Sequence, residues 1–259
     1  MFSSYLLHTW IAATLLAIAA GSLGYFVVLR RSAFAAHALP LAAFPGGALA
    51  TLLGLAPLWG LGGFAILGVI FLRTFARLGR RDVAMGLLLS TFLALGGLFL
   101  SLGREYAARV YGLLFGEVLG ISAASILPLA LLAIAVVLLL LWRFPALLLQ
   151  SSQSDLATAR AISSAGMEWF FLVLLALVSA AAVPVVGTLL VFTLLVSPAA
   201  AAQRLSGRPY RAWFLAIMLA ELLSWSSIAL SYWSNWPLSF FVGGQGALLF
   251  LFSRILARA

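Results

Sequence analysis

The sequence contains no cysteine and no lysine, and each absence closes off a class of chemistry. Without cysteine there is neither a disulfide framework nor a thiolate metal site. Without lysine there is no phosphate-binding loop, because that device needs a lysine to reach the β- and γ-phosphates. Acids are scarce as well: six Asp and Glu stand against fifteen basic residues, all of them arginine. Charged residues make up 8% of the 259 positions, where a soluble domain carries roughly 25%, so no water-soluble domain is expected. The two histidines, His8 and His37, are isolated from each other. An intramembrane metalloenzyme would want paired acids or histidines at helical spacing, and they do not provide it. The inverted repeats with interrupted helices expected of a secondary transporter are also missing.

What is present is apolar: 65% hydrophobic residues and a mean hydropathy of +1.19. Apolar runs of about 18 to 22 residues recur from end to end, the length that a bilayer core demands of a helix. They are continuous, not alternating, which argues against membrane strands. The fold class is therefore all-α, a polytopic transmembrane helix bundle of about 8–9 spans. Nine spans are expected near 9–29, 33–57, 60–76, 82–102, 125–142, 167–184, 186–203, 212–232 and 237–254. The opening "MFSSYLLHTW" lacks a positive n-region, so the first run reads as a retained span.

A tenth apolar stretch, 106–122, would reverse everything after it if it crossed fully. Treating it as re-entrant or partly inserted, with the N-terminus outside, leaves thirteen arginines on the cytoplasmic side and only Arg104 and Arg109 outside. A full crossing destroys that asymmetry, so the positive-inside bias selects nine spans, N-terminus out and C-terminus in. The arginines sit at the ends of apolar runs and not in a patch, which excludes a nucleic-acid binder.

Gly112, Gly116 and Gly120 put a stripe of small residues on one face of the tenth stretch, suited to close helix packing. Pro45, Pro184 and Pro237 mark kinks or turns. Trp59, Trp142, Trp233 and Trp236 fall at span ends as interface anchors. The longest polar stretch runs from Arg143 to Trp169. Within it "SDLATARAISSAG" reads as a short cytoplasmic helix, with Ser154 as N-cap, Asp155 in the first turn and Gly166 as its stop. Such a helix either docks onto a soluble partner or merely connects two spans.

These motifs together resemble the membrane permease subunits of ATP-binding-cassette importers for zinc and manganese, the ABC-3 family, over nearly the whole chain. "RRDVAMGLLLSTFLALGGLFLSL" is similar to the family's Asp-x-x-x-Gly segment, and "YGLLFGEVLG" to its Leu-Phe-Gly stretch. "SDLATARAISSAG" resembles its coupling loop, carried by Asp155, Ala159, the adjoining Arg160 and, after a longer gap, Gly166. "VVGTLLVFTLLVSPAAAAQRL" resembles its Val-Gly turn, apolar helix and Pro-Ala-Ala exit. The resemblance implies a type II-importer-like permease in the inner membrane, not an enzyme, that binds no cofactor of its own. It implies a second copy of the permease as a homodimer partner, a cytoplasmic ATPase and an extracytoplasmic metal-binding protein. One permease domain spans 1–259, with a coupling loop at about 143–166.

The family's second helix carries Asp-x-x-x-His, a paired site for a divalent cation. An ungapped alignment places His37 at the Asp position and Leu41 at the His position, so the motif is broken here. Zinc usually takes three or four protein ligands. His37 has three open roles: a metal ligand on the path assisted from elsewhere, a residue of a path re-lined for a chelated-metal or non-metal substrate, or a core residue bonding a carbonyl. Glu221, midway along 212–232, and Ser224 are candidate path residues, since ionisable groups at membrane depth mark pathways. Glu117 is a candidate for the external vestibule, His8 for the interface, and Asp82 for a local cap on the fourth span.

Overall fold

The computed structural model describes residues 4–76, 81–103, 122–188 and 190–256. Its elements are α1 (Ser4–Leu29), α2 (Ala33–Leu52), α3 (Pro57–Ala76), α4 (Arg81–Ser101), α5 (Ala123–Ser152), α6 (Ser154–Ala159), α7 (Ser164–Val186), α8 (Val191–Leu205), α9 (Pro209–Ser234) and α10 (Leu238–Leu256). Among the described residues there is no strand. Seven of these helices, α1, α2, α3, α5, α7, α9 and α10, are long and apolar enough to cross a membrane. Two shorter apolar helices, Met85–Ser101 within α4 and α8 itself, fall where two more of the nine expected spans lie, so the span count agrees roughly with the expectation. The stretch 106–122, with Glu117 and the three glycines, lies outside the described residues except for Ser122, which precedes α5.

Several boundaries differ from the sequence expectation, among them α2, which ends at Leu52 and not at 57, and α8, which begins at Val191 and not at 186; two others differ most. α5 does not end at 142 but continues through Arg143 and Pro145 to Ser152. A proline removes one amide donor from a helix. Here Phe144 and Leu147, both fully buried, hold the extension in place. The short polar helix ends at Ala159, not at Gly166. Ala161 takes a left-handed conformation (φ 56°), the Ile162 amide donates to the Ala157 carbonyl at 3.0 Å, and the Ala161 amide donates to Thr158 at 2.9 Å. That is a Schellman stop carried by alanine instead of glycine. Gly166 lies in the first turn of α7, where its amide donates to Ser163 Oγ at 3.1 Å, so Ser163 is the N-cap of that helix. Ser154 does not cap α6 through its side chain.

The chain divides into two compact units. The first comprises Met1–Ala33, Leu119–Leu174 and Thr193–Ala259. Its centre is α1, which packs on α5 and α9. Lipid is as apolar as leucine, so helices in a bilayer associate through close van der Waals contact and hydrogen bonds. Both are found here. A Cβ on Gly21 would stand 2.8 Å from Ile217 Cα and 2.9 Å from the Ala216 carbonyl oxygen. A Cβ on Gly24 would overlap the Leu195 carbonyl of α8. Trp213 Nε1 donates to the Ser22 carbonyl at 3.1 Å, Gln203 Nε2 to the Tyr25 carbonyl at 2.7 Å, and Trp225 Nε1 to Thr14 Oγ1 at 2.9 Å. Phe144 stacks on Tyr210 at 4.3 Å and meets Phe26 edge-on at 5.1 Å.

The second unit comprises Phe34–Val118 and Leu175–Phe192. Its core helix is α2, most of whose side chains are buried. Gly46 and Gly60 bring the α2 and α3 backbones into direct contact, so that a Cβ on either would overlap the other's carbonyl. Phe44, Ala48 and Leu100 form a buried cluster with Phe99 alongside.

Candidate functional site

The helix α2 holds two prolines, Pro40 and Pro45, and stays helical because it is rich in alanine and packed on nearly every side. The prolines remove the amide donors that would otherwise reach the carbonyls of Ala36 and Leu41, one turn upstream of each. His37 precedes both prolines, directly after Ala36, and is half-buried. Its ring meets Phe192 edge-on, with centroids 5.4 Å apart and an interplanar angle of 81°. Among the described residues it makes no hydrogen bond to a neighbouring carbonyl; an aromatic contact is what orients it. Leu41, one turn on, is buried.

Glu221 and Ser224 lie on α9 in the first unit, whereas His37 and Leu41 belong to the second. Both Glu221 carboxyl oxygens are buried with no hydrogen-bond partner among the described residues. The same part of the first unit holds further polar atoms. Ser226 Oγ donates to Gln245 Oε1 at 2.5 Å, while Gln245 Nε2 and Ser227 Oγ are buried without partners among the described residues. Among the described residues of the second unit, the Ser179 and Thr188 hydroxyls are also buried without partners. Sequence reasoning did not single these out, since Ser and Thr are common in membrane helices. Among the described residues no three of His, Asp and Glu gather in one place.

A second site is built around α6. Ala157 is fully buried and seats the helix, while Ser154, Asp155, Leu156, Ala159 and Arg160 are exposed. Asp155 occupies the first turn, where the helix dipole favours a negative charge. Gly166 is exposed but belongs to α7. Thus α6 is pinned by one small residue and presents the rest of its surface outward.

Arg30, the residue after α1, contacts the two helices that flank α6 in the chain. One terminal guanidinium nitrogen donates to Gln150 Oε1 at 2.6 Å, and Gln150 Nε2 donates onward to the Ser164 carbonyl at 3.3 Å. The guanidinium lies over the Phe171 ring, 4.9 Å from its centroid. Burial lowers the Arg30 pKa, and the Glu168 carboxylate opposes that shift. In the sequence Arg30 is one of many arginines at span ends, and nothing in its neighbours marks it. Trp59, Trp142, Trp233 and Trp236 are all exposed, but Trp142 lies inside α5 and not at its end, because that helix continues to Ser152.

The ABC 3 transport family matches residues 3–257 of the chain. The manganese transport system membrane protein MntC of Listeria monocytogenes is 29% identical over 208 residues, covering 79% of this chain and 74% of that protein. The high-affinity zinc uptake system membrane protein ZnuB of Buchnera aphidicola is 24% identical, covering 95% of each. Among solved structures, a chain of PsaBC from Streptococcus pneumoniae in complex with Fab is similar with a TM-score of 0.89. It is 28% identical, and the match covers 97% of this chain and 91% of that one.

Proposed function

The chain belongs to the ABC 3 transport family, and from that premise we propose that it is the membrane permease of an ATP-binding-cassette importer for divalent metal ions of the manganese or zinc class. The observation that carries the reading is the match of the family along residues 3–257, with relatives of known name that serve manganese and zinc systems. The chain forms the translocation path and a separate ATPase supplies the energy; the lack of lysine fits that division. Two copies of the permease enclose the path, and an extracytoplasmic binding protein delivers the cation. The arginine bias supports an N-terminus outside and a C-terminus in the cytoplasm.

In this reading α6 enters a cleft on the ATPase through its exposed face, and closure of the ATPase rocks the bundles between inward- and outward-facing states. The cation passes α2, where His37 offers one imidazole. Glu221 and Ser224 serve the path from α9. A polar side chain left unpartnered at membrane depth costs a few kcal/mol, which supports a role in passage over a role in packing. The buried Leu41, at the position where the family carries histidine, favours a second reading, a chelated-metal or non-metal substrate on the same fold.

The test is ATP-driven uptake by proteoliposomes containing the permease and its co-purified ATPase, across a panel of divalent ions. Accumulation of Mn²⁺ or Zn²⁺ that requires ATP is the expected result. ATP hydrolysis with no ion accumulated would remove the bare-metal reading, and purification without any ATPase would remove the permease reading.

A further inference from the structure

The docking helix α6 is six residues long and is held to the bundle by one buried side chain, Ala157. A push on so small an element moves the spans only if its two flanks move with them. The flanks are the end of α5, at Gln150, and the start of α7, at Ser164. The two are bridged to each other by the Gln150 side chain, and Arg30 ties α1 to the first by a hydrogen bond and to α7 through Phe171. Phe171, two turns into α7, supports the guanidinium from its face. A planar fork that hydrogen-bonds at its edge and stacks on its face suits a site where three helix ends must keep one geometry.

The backbone stops α1 directly after Arg30. Arg31 adopts φ 54°, and the Ser32 amide donates to the Val27 carbonyl at 2.9 Å. The chain therefore turns sharply after Arg30 and enters α2, the helix of His37. Ala161, on the other side of α6, adopts φ 56°. Non-glycine residues at positive φ store strain and persist where the surroundings over-determine them, often at switch regions. Arg31 directly follows Arg30, and Ala161 lies between Gln150 and Ser164 along the chain.

We infer that Arg30 is a positioning residue for energy coupling: it locks both flanks of α6 to the end of α1, so that displacement of the docking helix is passed to α2. This rests on the reading of α6 as the element that engages the ATPase. Spatial intermediacy alone does not establish coupling, so the test measures it directly.

The permease–ATPase complex is placed in proteoliposomes with Mn²⁺ as the probe, and the Mn²⁺ taken up per ATP hydrolysed is measured. Arg30→Ala and Gln150→Ala each lower that ratio severalfold while the ATPase still co-purifies. The double variant is no worse than either single one, because both break one linkage. Arg30→Lys, which keeps the charge but lacks the fork, restores the ratio in part; Arg211→Gln, at an exposed arginine outside this linkage, leaves it unchanged. An unchanged ratio in Arg30→Ala, or losses that multiply in the double variant, overturns the assignment. If Arg30→Ala does not assemble, Gln150→Ala, which removes the acceptor and the onward bond to Ser164 but leaves Arg30 in place, decides by the same ratio. Ala159→Pro separates the two readings. If it uncouples while Arg30→Ala does not, only the role of Arg30 falls; if it leaves the ratio intact, the docking role of α6 falls.

Discussion

Substituting Gly21 by alanine tests whether the first unit is held by backbone contact between α1 and α9. The added Cβ would lie 2.8 Å from Ile217 Cα, whereas carbon atoms settle at about 3.5–4.0 Å, so the helices must part by about 1 Å. Overpacking of this kind costs about 1–3 kcal/mol. The same movement stretches two hydrogen bonds that cross the pair, Trp213 to Ser22 at 3.1 Å and Trp225 to Thr14 at 2.9 Å. Each is worth about 1 kcal/mol. Alanine returns about 1 kcal/mol through helix propensity. The net destabilisation is therefore about 2–4 kcal/mol. Gly63 on α3 is the matched control: nothing lies within 4 Å of its added Cβ, so Gly63→Ala keeps the propensity gain of up to about 1 kcal/mol. Thermal unfolding of the purified protein in detergent, followed by loss of the monodisperse peak, ranks the two. A Gly21→Ala protein as stable as Gly63→Ala would refute close backbone packing as the force that holds α1.

Two further outcomes follow from particular residues. Ala161 carries the left-handed stop of α6, so Ala161→Gly relieves about 1 kcal/mol of backbone strain; an unchanged or lowered thermal midpoint contradicts the Schellman geometry described there. Glu221→Gln and Glu221→Leu both lower ATP-driven uptake severalfold. The leucine variant unfolds at higher temperature, because it no longer buries an unpartnered carboxyl that costs about 1–3 kcal/mol; unchanged uptake in both removes Glu221 from the path.

The spans were legible because a bilayer imposes length and continuity on each run, and those properties survive in a single sequence. Segment 125–142 was less complete. Arg143 and Pro145 look like an exit from the membrane, and the helix continues only because Phe144 finds Tyr210, Phe26 and Tyr25, residues far away in the chain. The end of α6 was misplaced for a related reason. Glycine is the usual signal of a left-handed stop, so Gly166 drew the boundary, while Ala161 took that conformation. Mid-span Glu221 stood out in the sequence because an acid in an apolar run is rare. The Arg30 linkage could not be read at all, since its meaning lies in Gln150, Ser164 and Phe171, none of which is unusual on its own.

The broken motif on α2 bears on how tightly a cargo is held. A resident zinc site wants three or four protein ligands, but a transport path must bind well enough to admit an ion and weakly enough to release it. If the path runs along α2, as proposed, His37 offers it one imidazole, and Pro40 and Pro45 free the carbonyls of Ala36 and Leu41 on the same helix. Such a path fits a cation that keeps part of its hydration shell. Leu41→His places a second imidazole one turn from the first, on the same helix face. If the cation passes this face, the added ligand lowers the KM for Mn²⁺ or Zn²⁺ uptake by about tenfold, equivalent to about 1.4 kcal/mol. It lowers maximal uptake as well, because release becomes slower. Leu41→Met, which conserves volume and adds no imidazole, leaves both values near the parent. A Leu41→His protein with unaltered KM for every divalent ion tested would mean that the cation does not travel along α2.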